Sequence, residues 1–203
     1  MGKGWNRHLC IYCDINYSTP TGDHVPPDKI SPAGTPQVTV PCCMACNIGF
    51  SDLDEVMRNK FARLSEHAPL EIHQTLGRVY EKYPGKIKKM NIQSSTGADG
   101  RLLETMRFEQ PALNQWFARI VRGMHFHQFK ERLPDFLTLT TTALTYAPPI
   151  PNEHRAFLQD DPRSSCFFCE PMPGFVAEKF VGPGGGGWMS VVYQKLFFVT
   201  IIT

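Results

Sequence analysis

No apolar run in this chain is long enough to cross a membrane: the longest, Leu196–Ile202, falls far short of the roughly 20 residues a spanning helix needs. A secretory leader is missing too, since Met1 to Arg7 is polar and Gly-rich with no apolar stretch behind it. These absences imply a protein with no membrane role, kept in the reducing cytoplasm. There is little excess of charge: 21 Lys and Arg against 19 Asp and Glu leave a net +2. Such a balance gives only a weak pull toward a polyanion. The composition also lacks the skew of a disordered chain, with 42% hydrophobic and 20% charged residues matching globular averages. No internal repeat is visible. At 203 residues the chain suits one domain with a smaller subdomain. It is long enough to bury a core without help, so a metal would staple one segment rather than the whole.

What is present is unevenly distributed. Residues 1–50 are rich in Pro, Gly and Cys and show no helical period. A helix is expected over 51–67, where Ser51 or Asp52 can cap, Asp54 and Glu55 suit the first turn, and Leu53, Val56, Met57, Phe61 and Leu64 share a face. A second amphipathic helix is expected from Leu70 to Tyr83, stopped by Pro84-Gly85. Residues 86–108 read as strand and turn, with Ser94 to Gly100 as the turn. A third helix is expected from Pro111 to about Arg132, with Leu113, Trp116, Phe117, Ile120, Val121 and Met124 on its apolar face. Phe136 to Tyr146 suggests a strand, and Pro148 to Pro151 a rigid connector. Phe175–Val181 and Trp188–Ile202 read as sheet around a loose glycine loop at Gly184–Gly187. The fold class implied is α+β: a front module over 1–67, then helices on a small antiparallel sheet over 68–203.

The chemistry is concentrated at the front. Among seven cysteines are two CxxC pairs, Cys10–Cys13 and Cys43–Cys46. In a chain without a leader, paired CxxC spacing points to metal rather than disulfides. Four thiolates satisfy a tetrahedral Zn²⁺ and leave no open position, so this zinc would be structural. Buried free cysteines are the bland alternative, disfavoured by two correctly spaced pairs. Cys42 competes with Cys43 for the third place, and Cys43 is preferred because it restores CxxC.

Between the pairs stands Asp23-His24-Val-Pro-Pro27, and Asn47 directly follows the last cysteine. Hydrolysis of a phosphodiester needs a water, a base and a cation to absorb developing negative charge. The imidazole of His24 suits the base. The Asp23 carboxylate and Asn47 amide are hard oxygen donors suited to Mg²⁺. Taken alone, His24 would be read as a surface histidine beside an acid; its place between the two pairs reverses that.

Cys10-x-x-Cys13, Asp23-His24-Val-Pro-Pro and Val40-Pro-Cys-Cys-x-x-Cys46-Asn47, in that order, resemble the HNH endonuclease family with its ββα-metal fold and Cys₄ zinc. The resemblance covers Cys10 to about Leu64 and implies His24 as general base, with Asp23 and Asn47 holding one divalent cation. More loosely, Arg119-Ile-Val-Arg-Gly-Met-His-Phe-His127 and Arg132-Leu-Pro134 resemble the later parts of small stand-alone bacterial or phage HNH proteins. One position departs from the pattern. The family's middle Asn, which orients the base, falls at Val38, leaving Gln37, Thr39 or a backbone carbonyl to do so.

The implied activity is metal-dependent cleavage or nicking of DNA, in a restriction, defence or mobile-element setting. The alternative is a non-catalytic zinc ribbon on a decayed HNH scaffold, binding nucleic acid or protein. Lys86, Lys88, Lys89, Arg119 and Arg122 are candidate phosphate contacts, although charge runs are more often solvated faces. His125 and His127, with His154 beyond, make a poor metal pair because neighbours two apart on a helix do not face each other. Cys166-Phe-Phe-Cys169 lacks a partner pair and reads as buried apolar structure.

Overall fold

The computed structural model describes residues 8–32, 34, 35, 37–65, 68–83, 85, 90, 92–100, 102–144, 175–182, 185–192 and 196–203. The chain is α+β, as the sequence implied, with helices and small antiparallel sheets among the described residues. It begins with a knuckle. Cys10 N–H donates to the Asn16 carbonyl at 2.8 Å and Asp14 N–H to the Cys10 carbonyl at 2.9 Å. Asp14 sits at φ 54°, a left-handed position that Asp tolerates better than most residues. Strand β1 (Asp23–Val25) pairs antiparallel with β2 (Val38–Val40), setting Asp23 opposite Val40 and His24 opposite Thr39. Successive side chains on a strand point to opposite faces; Asp23 and Val25 turn inward and His24 outward.

Helix α1 runs Met44–Leu64 and starts before the expected 51–67. Its cap is Cys43, whose Sγ accepts the Cys46 N–H at 3.5 Å. A thiol lies outside the oxygen side chains from which helix starts are usually read. Ser51, the expected cap, instead bonds back to the Ile48 carbonyl at 2.9 Å. Helix α2 (Leu70–Lys82) falls where its period placed it. Strands β3 (Ile92–Thr96) and β4 (Leu102–Met106) form a hairpin. Its turn is tighter than expected, because Ser94 and Ser95 are strand residues and Gly97–Gly100 closes the chain, with Gly100 at φ 79°.

Helix α3 (Gln110–Phe129) buries all six residues of its expected apolar face. It stops at Lys130, which turns left-handed at φ 60°, rather than at Arg132. Strands β5 (Leu139–Leu144), β6 (Phe175–Gly182), β7 (Gly185–Val192) and β8 (Leu196–Ile202) form an antiparallel sheet in the order β5–β8–β7–β6. Gly185–Gly187 are therefore not a loop: they pair with β6, and Gly186 and Gly187 also pair with β8. The stretch from Trp188 to Ile202 is two strands, not one.

A single buried cluster joins Ile11, Val25 and Val40 to Phe61, Trp116, Phe117, Trp188 and Phe198. Phe61 is central, its ring 5.2 Å from Trp116 and 5.3 Å from Phe198. Packing thus runs straight across residue 67. Helix α3 links the parts. Gln110 Nε2 donates to the Thr141 carbonyl at 2.6 Å, and Asn114 Oδ1 accepts the Thr141 N–H at 2.9 Å, tying it to β5. Further along, Gly123 lies against β1, where a Cβ would sit 2.5 Å from Val25 Cγ2. Only glycine allows that approach. Among the described residues no helix is long and apolar enough to cross a membrane.

Candidate functional site

The four cysteines of the two CxxC pairs converge. The sulfurs of Cys10, Cys13, Cys43 and Cys46 all lie within 4.8 Å of one another, and Cys13 Sγ is 3.9 Å from Cys43 Sγ. A tetrahedral ion about 2.3 Å from each sulfur sets them about 3.8 Å apart, so donor set and spacing fit one metal ion. Among the described residues this is the one such grouping of His, Cys, Asp or Glu. The local backbone builds it: the knuckle presents Cys10 and Cys13, while Cys43 caps α1 and Cys46 follows one turn on. Asn16 Nδ2 reaches toward Cys43 Sγ at 4.0 Å.

Cys42 takes a different part. It is buried, and its Sγ–H faces the Cys43 carbonyl at 3.3 Å. Hydrogen bonding from Cys42, reinforced by N–H groups of Cys43, Tyr12 and Cys13, lowers the Cys10 thiol to about 4 despite burial. The same bond, with burial, pushes Cys42 up. The sulfur that lies within 4.8 Å of those of Cys10, Cys13 and Cys46 is that of Cys43, not of Cys42.

The second constellation is arranged less openly than its sequence suggested. Asn47 lies in the first turn of α1, its backbone N–H donating to the Cys43 carbonyl at 3.0 Å. Its Nδ2 donates to the Gly22 carbonyl at 3.4 Å, fastening α1 to the residue before β1. His24 is exposed on β1, with Nδ1 3.8 Å from Asp28 Oδ2. Asp23 points the other way and is 3% exposed. Its Oδ2 accepts Arg119 Nε at 2.8 Å and the Tyr12 hydroxyl at 2.8 Å, and its Oδ1 accepts Arg119 Nη2. The carboxylate is an ion-pair partner, not an open ligand facing the same solvent as His24.

Arg119 carries this arrangement. It is 4% exposed, so the expectation that it contacts phosphate is corrected: its fork is spent inside the protein. Nη1 donates to both oxygens of Asp54 on α1, at 2.7 and 2.6 Å. Trp116 Nε1 donates to Asp54 Oδ1 at 3.0 Å, and the guanidinium lies 4.5 Å from the centre of the Phe50 ring. Burial opposes the charge on Arg119, but the bonds and charge of Asp23, then the charge of Asp54, raise its pKa overall. Burial likewise raises Asp54 against the pull of Arg119. Tyr12 rises well above its ordinary value through burial and the neighbouring Asp23 charge.

Arg122 is also engaged locally, donating from Nη1 to the Leu133 carbonyl at 3.0 Å, with Asp135 at 3.4 Å. Lys86, Lys88 and Lys89 lie outside the described residues, as do His154, Cys166, Cys169 and the Pro148–Pro151 connector. His125 lies tilted against Phe129, ring centres 4.7 Å apart. Sequence reasoning missed Asp28, Asp54 and Tyr12. Asp28 had a signal, an acid just past the Pro-Pro that follows His24. Asp54 had none, because its partners Trp116 and Arg119 lie 62 and 65 residues away, and Tyr12 had none, because nothing in the spacing of Tyr12 and Asp23 marks them as partners. Comparison of the chain with family models, with curated proteins and with solved structures gives no match.

Proposed function

We propose that this chain is an HNH-type phosphodiester hydrolase, an endonuclease or nickase acting on DNA, on a ββα unit stapled by structural Zn²⁺. One observation carries the reading. His24 stands exposed on a hairpin whose following helix begins at the thiol cluster and bears Asn47 in its first turn, tied back beside β1. The zinc serves the scaffold, since a closed set of four thiolates leaves no site for water or substrate. With Asp28 beside Nδ1, Nε2 of His24 is the atom that takes the proton from an attacking water. A neutral imidazole matches that task near neutral pH. Asp28 Oδ2 lies 3.8 Å from Nδ1, beyond direct hydrogen-bond distance, where its charge would favour the imidazolium formed as the base takes its proton.

A divalent cation such as Mg²⁺ on Asp23 and Asn47, which the resemblance implies, does not fit the described arrangement. The Asp23 oxygens are buried and engaged by Arg119 and Tyr12. Asn47 alone offers one neutral oxygen, too little to hold a strongly hydrated ion. The same observation favours the second reading, a non-catalytic zinc-stapled module that binds nucleic acid or protein. Supercoiled plasmid incubated with the purified chain and Mg²⁺ or Mn²⁺, with and without chelator, separates the two. The hydrolase reading expects nicking that His24→Ala reduces by about 10²–10⁴-fold, with metal content and melting unchanged. Absence of nicking with either cation, or an undiminished His24→Ala, leaves the binding module.

A further inference from the structure

We infer that Asp23 is a positioning residue held by Arg119, and that the buried Asp23–Arg119–Asp54 bridge fixes β1 against α1 so that His24 faces outward. The activity arm of this inference rests on the hydrolase reading above; its structural arm does not.

The argument starts from where the charges sit. Asp23 and Arg119 are each almost fully buried, and Asp54 nearly so. A carboxylate is tolerated there only when paired and hydrogen-bonded. One guanidinium serves two of them, with Nε and Nη2 on Asp23 and Nη1 on Asp54. This geometry uses the planar fork that Arg has and Lys lacks. Tyr12 and Trp116 each add a donor, one to either carboxylate, and Phe50 covers the guanidinium. Three elements meet at this point: β1 through Asp23, α1 through Asp54, and α3 through Arg119 and Trp116.

The consequence for His24 follows from strand geometry. Adjacent residues on β1 face opposite ways, so anchoring Asp23 inward fixes His24 outward. Gly123 and Arg119 lie on one face of α3, four residues apart. Gly123 meets Val25 while Arg119 meets Asp23, so both inward residues of the strand are held. A cation ligand would need an Asp23 oxygen open to solvent and free of a competing guanidinium; the bridge supplies neither.

The test compares wild type with Arg119→Gln, Arg119→Lys, Asp23→Asn and the pair Asp23→Asn/Arg119→Gln, all as the full chain carrying its metal. In Arg119→Gln two buried carboxylates, Asp23 and Asp54, lose their guanidinium partner, and melting should fall by about 10 °C. The paired variant still leaves Asp54 without its guanidinium, so it should recover only the share of the loss that comes from Asp23, and Arg119→Lys should fall between wild type and Arg119→Gln. Where Arg119→Gln fails to fold, Arg119→Lys and the pair carry the comparison. Plasmid nicking, measured where each variant is folded, should fall about 10²-fold in kcat for Arg119→Gln with KM nearly unchanged, as for a misplaced base, and return in part in the pair. Mn²⁺ binding to Asp23→Asn, read by electron paramagnetic resonance, should match wild type. An Asp23→Asn that melts like wild type and binds Mn²⁺ tenfold more weakly makes Asp23 a cation ligand and overturns the inference. Absence of recovery in the paired variant overturns it as well. Wild type that nicks nothing defeats the hydrolase reading alone, because the melting comparison still decides the bridge.

Discussion

Replacing Gly123 with Ala isolates the contact between α3 and β1. The added methyl would lie 2.5 Å from Val25 Cγ2, 3.0 Å from Cγ1 and 3.2 Å from Cβ. Carbon atoms in good contact sit about 3.5–4.0 Å apart, so the backbones must separate by about 1 Å. Val25 cannot turn aside: it is fully buried, and a β-branched side chain is stiff about χ1. Overpacking of this kind costs about 1–3 kcal/mol, and the gain from Ala over Gly inside a helix returns up to about 1 kcal/mol. A net loss of up to about 3 kcal/mol, centred on about 1.5 kcal/mol, lowers melting by roughly 3–6 °C at that centre in a chain of this size. On the proposed hydrolase reading, activity should suffer more than stability, since displacing the strand that carries His24 by about 1 Å can cost on the order of 10²-fold. Gly77→Ala is the control, as nothing lies within 4 Å of its added methyl; it should melt slightly higher than wild type. Thermal melting by circular dichroism and plasmid nicking at a temperature where both variants are folded read the two effects. A Gly123→Ala variant that melts at or above wild type refutes the close approach and with it the bracing of β1 by α3.

Other outcomes are expected from the thiol cluster and the buried charges. Cys13→Ser should abolish stoichiometric zinc, measured by elemental analysis of protein purified without chelator, and loosen the knuckle to proteolysis. Cys42→Ala should keep one zinc per chain, because the Cys42 sulfur is not among the four that converge. Asp54 has a raised folded pKa, so its ionisation disfavours folding as pH climbs above the ordinary 3.8. Asp54→Asn removes that penalty, and its melting temperature relative to wild type should rise as pH climbs above the ordinary 3.8. A relative fall over that range would show the Arg119 pairing to outweigh burial.

Legibility in the sequence followed distance along the chain. The convergence of Cys10, Cys13, Cys43 and Cys46 was readable because CxxC spacing is local. The α3 face was readable because Leu113 through Met124 repeat at a helical period. The start of α1 was not, since Cys43 caps it through sulfur. Arg119 was misread because its partners Asp23 and Asp54 lie 96 and 65 residues away; nothing local distinguishes an arginine that reaches into the core from one that reaches into solvent. The glycines of β7 were mistaken for a loop because low strand propensity is overridden when β6 and β8 pair on either side.

Arg132, just past α3, donates from Nη1 to Asp14 at 2.7 Å and from Nε to the Ile11 carbonyl at 3.3 Å. It therefore grips the knuckle from a part of the chain more than a hundred residues downstream. Portability is what this restricts. A front segment cut at residue 67 and grafted onto another protein would keep all four cysteines, His24 and Asn47. It would carry Asp14 without its counter-ion, Asp23 without its guanidinium, and Val25 facing water. Any transplant of this cassette has to bring α3 and the turn after it.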